Sequence, residues 1–248
     1  MDNFQQKFVV ITYERTGSTM LCQSLHRLPE VTCFGELFNR FNKVPWWLEQ
    51  SFENGLEQRF LGRPVRDQHP VAFLNAILDV HRNDSFFGFK LMLDHDPNIM
   101  KLVIDSPEWK VVRLYRQNLL SVYGSSLVAK ATKKSHFTPE QELRHAKVTF
   151  CPRAFDQFRM SIEKRQALTH EMLHAAGKSY FCLEYKDLVS DSGLHIVASH
   201  LGISSSVELQ PVLVKRHSWD VLERFENPDD VRRYLKVNAL EHWTCEGS

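Results

Sequence analysis

The chain has 248 residues, 43% of them hydrophobic and 11% aromatic, enough to bury a sizeable core, and one domain over residues 1–248 is the expectation. Its 31 Lys and Arg against 30 Asp and Glu leave a formal net charge of +1, which excludes binding to nucleic acid or an anionic membrane through overall charge and makes any anion site local. Five cysteines, Cys22, Cys33, Cys151, Cys182 and Cys245, are odd in number and form no C-x-x-C pair; with a start that lacks the pattern of a secretory leader and no apolar run of bilayer length, they predict a reducing, cytoplasmic setting.

In chain order, "KFVVITY" (Lys7 to Tyr13) reads as a strand, and the helical spacing of Met20, Leu21, Leu25 and Leu28 follows it. "HPVAFLNAILDVHR" places Phe73, Leu74, Ile77 and Leu78 on one helix face, and "FFGFKLML" (Phe86 to Leu93) and "KVVRLY" (Lys110 to Tyr115) read as further strands. A long helical region over 138–176 is expected to break or kink at Cys151-Pro152 and to close at Gly177, before a last strand at "SYFCLEY" (Ser179 to Tyr185). Strands alternating with helices predict a parallel sheet covered on both faces.

The first strand runs into "ERTGST", Glu14 to Thr19, at a helix start. Such a turn presents unpaired N–H groups and the positive end of the helix dipole beyond the carboxyl edge of the sheet. Gly17 permits a tight backbone, Thr16, Ser18 and Thr19 add hydroxyls, and Arg15 supplies a fixed charge able to donate two bonds to phosphate or sulfate. The nucleoside-triphosphate loop G-x-x-x-x-G-K-[ST] is not met, because Ser18 stands where its Lys belongs and Thr12 where its first Gly belongs.

Arg15-Thr16-Gly17-Ser18-Thr19 instead resembles the 5′-phosphosulfate loop of sulfotransferases that use 3′-phosphoadenosine 5′-phosphosulfate (PAPS). "KVVRLYRQNLLSVYGSSLVA" resembles the 3′-phosphate motif of that family, which implies Arg116 and Ser125 as phosphate contacts, with Ser121 a rival to Ser125 and Arg113 a second candidate cation. "CFGELFNRF", "FFGFKLM", "LEYKDLV" with Tyr185, and "VLVKRHSWDVLERFENPDDVRRYL" resemble further segments of the bacterial Nod-factor and trehalose-type sulfotransferases, in the same order.

The resemblance implies a P-loop-like parallel sheet flanked by helices, with a helical acceptor-facing lobe, and transfer of a sulfuryl group from PAPS to a hydroxyl or amine of a carbohydrate or small molecule. Glu36 is then the candidate general base, with His95 the alternative, and Lys90 a cation for the bridging or sulfonate oxygens. Lys215 and Arg216 are candidates to close over the donor, and "FNRFNKVPWWLEQSFENG", with Trp46 and Trp47, is a candidate acceptor lobe. No metal site is expected: Asp94, His95 and Asp96 are adjacent, without ligand spacing. No nucleic-acid partner and no membrane span are expected, and a homo-oligomer is left open. A nucleotide kinase of similar topology and a non-catalytic nucleotide-binding scaffold are the competing readings.

Overall fold

The computed structural model describes residues 5–39, 63–132, 146–204 and 220–246. Strands β1 (Gln6–Thr12), β2 (Val31–Phe34), β3 (Phe86–Met92), β4 (Trp109–Tyr115) and β5 (Tyr180–Glu184) form one sheet in the order β2-β3-β1-β4-β5, every pair parallel. The described helices are α1 (Ser18–His26), α2 (Arg63–Gln68), α3 (Pro70–Val80), α4 (Pro97–Asp105), α5 (Leu119–Thr132), α6 (Pro152–Ala175), α7 (Tyr185–Leu188), α8 (Gly193–Leu201) and α9 (Pro228–Val237), with 3-10 turns at Leu222–Arg224 and Glu241–Thr244. None of them is long and apolar enough to cross a membrane.

Alternation along each strand divides the core between the two faces of the sheet. Val9, Ile11, Phe87, Phe89, Leu91 and Val111 pack with Phe73 and Ile77 of α3 and with Ile99 and Val103 of α4. Phe8, Val10, Val112 and Leu114 face the other way, against Leu21 and Leu25 of α1 and Val197 and Leu201 of α8. Leu21 and Leu25 are fully buried, and each such side chain contributes about 2 kcal/mol, so α1 is held to the sheet mainly by its apolar face. A third cluster joins Leu120 and Tyr123 of α5, Phe155 and Ile162 of α6, Val231 and Leu235 of α9, and Trp243 into a helical body beyond the sheet.

The four expected strands are present, and β2 is an addition: it is four residues long, fully buried, and set beside β3 with Cys33 opposite Gly88. The expected helix before Pro152 is corrected over the part described. Val148 lies in a bridge to Phe225, donating to Arg224 O at 2.9 Å and accepting from Glu226 N at 3.0 Å. Pro152 starts α6 rather than kinking a longer helix, because its missing N–H costs nothing at the first helical position and it drives Cys151 into an extended conformation (φ −124°). Gly177, at φ 59°, ends α6 as expected, with Lys178 N donating to Leu173 O at 2.9 Å.

From β1 the chain runs on to β2 at one edge of the sheet, and from β4 it runs to β5 at the other. Strands β1 and β4 are neighbours, so their carboxyl ends flank the point where connections diverge, the place where open α/β sheets carry a crevice.

Candidate functional site

The turn after β1 is held from inside by its own hydroxyls. Thr12 Oγ1 and Thr16 Oγ1 are 2.7 Å apart, and the buried Thr16 hydroxyl donates to Tyr13 O at 3.1 Å. Tyr13 ties this turn to β4: its hydroxyl donates to Arg116 O at 2.6 Å and accepts from Arg116 N at 2.9 Å. Two left-handed residues follow, Arg15 at φ 62° and Gly17 at φ 81°. Gly17 is also where the turn meets α7, since a Cβ there would come within 3.0 Å of the Tyr185 ring.

Helix α1 therefore begins on a residue without a side chain, and no side-chain cap bond is made to its first turn. The contrast with α4 is informative: Asp96 Oδ1 accepts there from Asn98 N at 2.9 Å and Ile99 N at 3.2 Å. One helix start is closed by a carboxylate, while that of α1 is left with the partial positive charge that favours an anion. The Arg15 side chain crosses to α5, where Nε donates to Ser125 Oγ at 2.8 Å.

Lys90 approaches from β3. Alternation turns it, with Gly88, toward the α1 side of the sheet, where it is only 3% exposed. Its Nζ donates to Thr19 Oγ1 at 3.1 Å and pairs with Glu36 Oε1 at 3.0 Å, so a buried lysine links the first turn of α1 to the carboxylate after β2. Asn39 Nδ2 donates to the other Glu36 oxygen at 2.6 Å. Burial alone would raise the Glu36 carboxyl, but Lys90 and the Asn39 bond hold it below the ordinary carboxylate value. His95 accepts from Met92 N at Nδ1, 3.2 Å, and burial, opposed by Glu36 and Asp94, pushes its pKa down to about 4. At neutral pH it is uncharged, with its proton on Nε2. Asp94 turns outward to Arg165 at 3.3 Å.

Arg116, 6% exposed, follows the end of β4. Nη1 donates to Arg15 O at 2.7 Å, Nη2 to Ser121 Oγ at 2.7 Å, and the guanidinium lies 4.0 Å over the Tyr185 ring. Its remaining bonds go to Glu246: Nε reaches Oε1 at 2.9 Å, and Nη2 pairs with Oε2. Arg224 enters from the other side, donating from Nη1 to Ser121 O at 2.8 Å and to Ser121 Oγ at 2.6 Å, with Nη2 3.6 Å from Glu246 Oε2. Asn118 anchors the segment that carries Glu246, donating to Trp243 O and Cys245 O, each at 3.0 Å.

The expected residues thus fall into two linked groups. Arg15 through Thr19, Lys90, Glu36 and His95 surround the start of α1, while Arg116 and Tyr185 lie behind the turn. Ser125 meets Arg15, and it is Ser121 that meets Arg116. Arg113 points to the opposite face and donates to Gln166 O on α6 at 3.4 Å. Lys215, Arg216, Trp46 and Trp47 lie outside the described residues. Arg224 and Glu246 escaped the sequence reading because they stand 103 and 125 positions from Ser121, with no local pattern to mark them.

No family model matches the chain, and no curated protein matches it. Among solved structures it is similar to a shikimate kinase from Bacteroides thetaiotaomicron, with 15% identity, 79% of this chain and 98% of that chain covered, and a TM-score of 0.41. It is similar also to a sulfotransferase from Alicyclobacillus acidocaldarius, with 12% identity, 95% of each chain covered, and a TM-score of 0.48. The α/β fold stands on the strand order and pairing described above.

Proposed function

We propose that the chain is a PAPS-dependent sulfotransferase acting on a carbohydrate or small-molecule acceptor. The observation that carries the reading is the ion pair between Lys90 and Glu36 beside an uncapped helix start that has no lysine of its own. A charged donor fits these residues: Arg15 and the first-turn N–H groups of α1 would hold the 5′-phosphosulfate. In the transfer, an acceptor oxygen forms a bond to sulfur as the bond from sulfur to the 5′-phosphate oxygen breaks, and the departing phosphate keeps the electron pair. Lys90 and Arg15 would neutralise the charge growing on that oxygen, and Glu36 would take the acceptor proton. As Lys90 turns to the donor, the influence that holds the Glu36 carboxyl down is relaxed, which makes it a stronger base at the moment a base is needed. His95, neutral and with Nδ1 already accepting, suits the role of a hydrogen-bond donor through Nε2.

Calorimetric titration with 3′-phosphoadenosine 5′-phosphate, with ATP and Mg²⁺ as the control, tests the reading. The bisphosphate should bind in the micromolar range, Arg15→Ala should weaken it about tenfold or more, and Glu36→Gln should bind normally while losing about a hundredfold or more in turnover. Preference for ATP with Mg²⁺ would overturn the sulfotransferase in favour of a kinase, and equal loss of binding in both variants would sink the assignment of roles.

A further inference from the structure

We propose that Arg116, Arg224 and Ser121 form an oxyanion site that the chain closes with its own carboxylate, Glu246, and that a phosphate monoester binds there by displacing it. The proposal rests on the reading above only in naming the phosphate of a bisphosphorylated nucleotide as the incoming anion.

The Glu246 carboxylate is received as a ligand would be. Arg116 Nε reaches Oε1 at 2.9 Å; Arg116 Nη2, Ser121 Oγ at 2.5 Å and Arg224 Nη2 at 3.6 Å converge on Oε2. Three hydrogen bonds and one longer ion pair, from the residue after β4, from α5 and from a 3-10 turn, converge on two oxygens, an array of donors that a phosphate monoester would also meet. The fork of Arg116 accepts carboxylate or phosphate in the same geometry. A carboxylate brings one negative charge to the two guanidiniums, whereas a phosphate monoester brings up to two. Burial, followed by the charge of Arg116, pushes the pKa of Arg224 down to about 10, and Glu246 works against that fall. Burial would raise the Glu246 carboxyl, and the Arg116 and Ser121 bonds hold it below the ordinary value, so the closing group is ionised and competes as an anion.

The segment bearing Glu246 is attached from outside the cluster. Asn118 holds the carbonyls of Trp243 and Cys245, and Asp220 bridges to Cys245, so the backbone stays docked while the side chain turns away. Glu246 also borders a small cavity lined by Gln117, Lys186 and His242, the side toward which its carboxylate would turn. The exchange would be felt at the turn after β1, since Arg116 Nη1 holds Arg15 O.

A site that is closed most of the time binds with an affinity reduced by its open fraction. Titrated with 3′-phosphoadenosine 5′-phosphate, Glu246→Gln should bind about tenfold more tightly than the wild type, and Glu246→Asp should fall between them. Equal or weaker binding by Glu246→Gln overturns the proposal. Inorganic phosphate separates the two readings. If the nucleotide binds neither protein, but phosphate raises the melting temperature of Glu246→Gln more than that of the wild type, the closure stands and the nucleotide assignment falls. No gain with either probe overturns the closure. Because the variants leave two guanidiniums close together in a buried site, the wild type supplies an independent measure. The side-chain carboxyl carbon resonance of Glu246 should shift when the site is saturated with phosphate, and an unchanged resonance at saturation overturns displacement.

Discussion

The imidazole of His95 shows what a single side chain gains from its surroundings. It follows β3, its Nδ1 is committed to the Met92 amide, and burial outweighs the attraction of Glu36 and Asp94. Its pKa falls from an ordinary 6.5 to about 4, so between those values the unfolded chain binds a proton that the folded chain refuses. Stability should therefore be full above pH 6.5 and decline as pH falls to about 4, by about 3 kcal/mol, from this group. His95→Asn keeps an acceptor for the Met92 amide and should flatten that decline, as read from urea midpoints at pH 7 and pH 4.5. An unaltered slope would locate the dependence elsewhere. The residue was legible in the sequence as a candidate; its tautomer and its protonation were not, since both are set by a backbone amide and by burial.

At the scale of elements, the approach of β1 to β3 depends on one missing side chain. Phe8 lies opposite Gly88 in the parallel register, and a Cβ on Gly88 would come within 2.3 Å of the Phe8 ring. Gly88→Ala should cost about 2–3 kcal/mol through overpacking, measured by chemical denaturation, and Phe8→Leu in that background should return part of it. Strictly additive losses would show that the two positions do not meet. Both runs read as strands from composition, because hydrophobic β-formers announce a buried strand wherever it lies. Strand β2 did not: four residues carry too little pattern, and it becomes a strand only because β3 offers a free edge. The segment before Pro152 departs from its helical reading for the same kind of reason, since Val148 finds hydrogen-bond partners at Arg224 and Glu226 that no local periodicity foretells.

The whole molecule is organised about the gap between β1 and β4, and the Tyr13 hydroxyl bridges it by serving both the N–H and the carbonyl of Arg116. Tyr13→Phe leaves that buried N–H unpartnered. The expected outcome is a loss of about 1–3 kcal/mol in stability, together with weaker binding of 3′-phosphoadenosine 5′-phosphate, because Arg116 holds the turn through Arg15 O. Undiminished stability and affinity would mean that the two strand ends are positioned independently.

By themselves, the residues determined the parallel α/β arrangement and the location of the strand-to-helix turn after β1, because apolar periodicity and the turn "ERTGST" are local properties of the chain. Lys90 stood out in the same way, as a charge within an apolar strand. Tertiary structure decided the pairing. It set Lys90 against Glu36, gave Ser125 to Arg15 and Ser121 to Arg116, and brought Arg224 and Glu246 into the cluster from over a hundred positions away. Hydrogen bonds and ion pairs act over about 3 Å of space whatever the separation along the chain, so the partners of a buried charge are settled only when the elements pack.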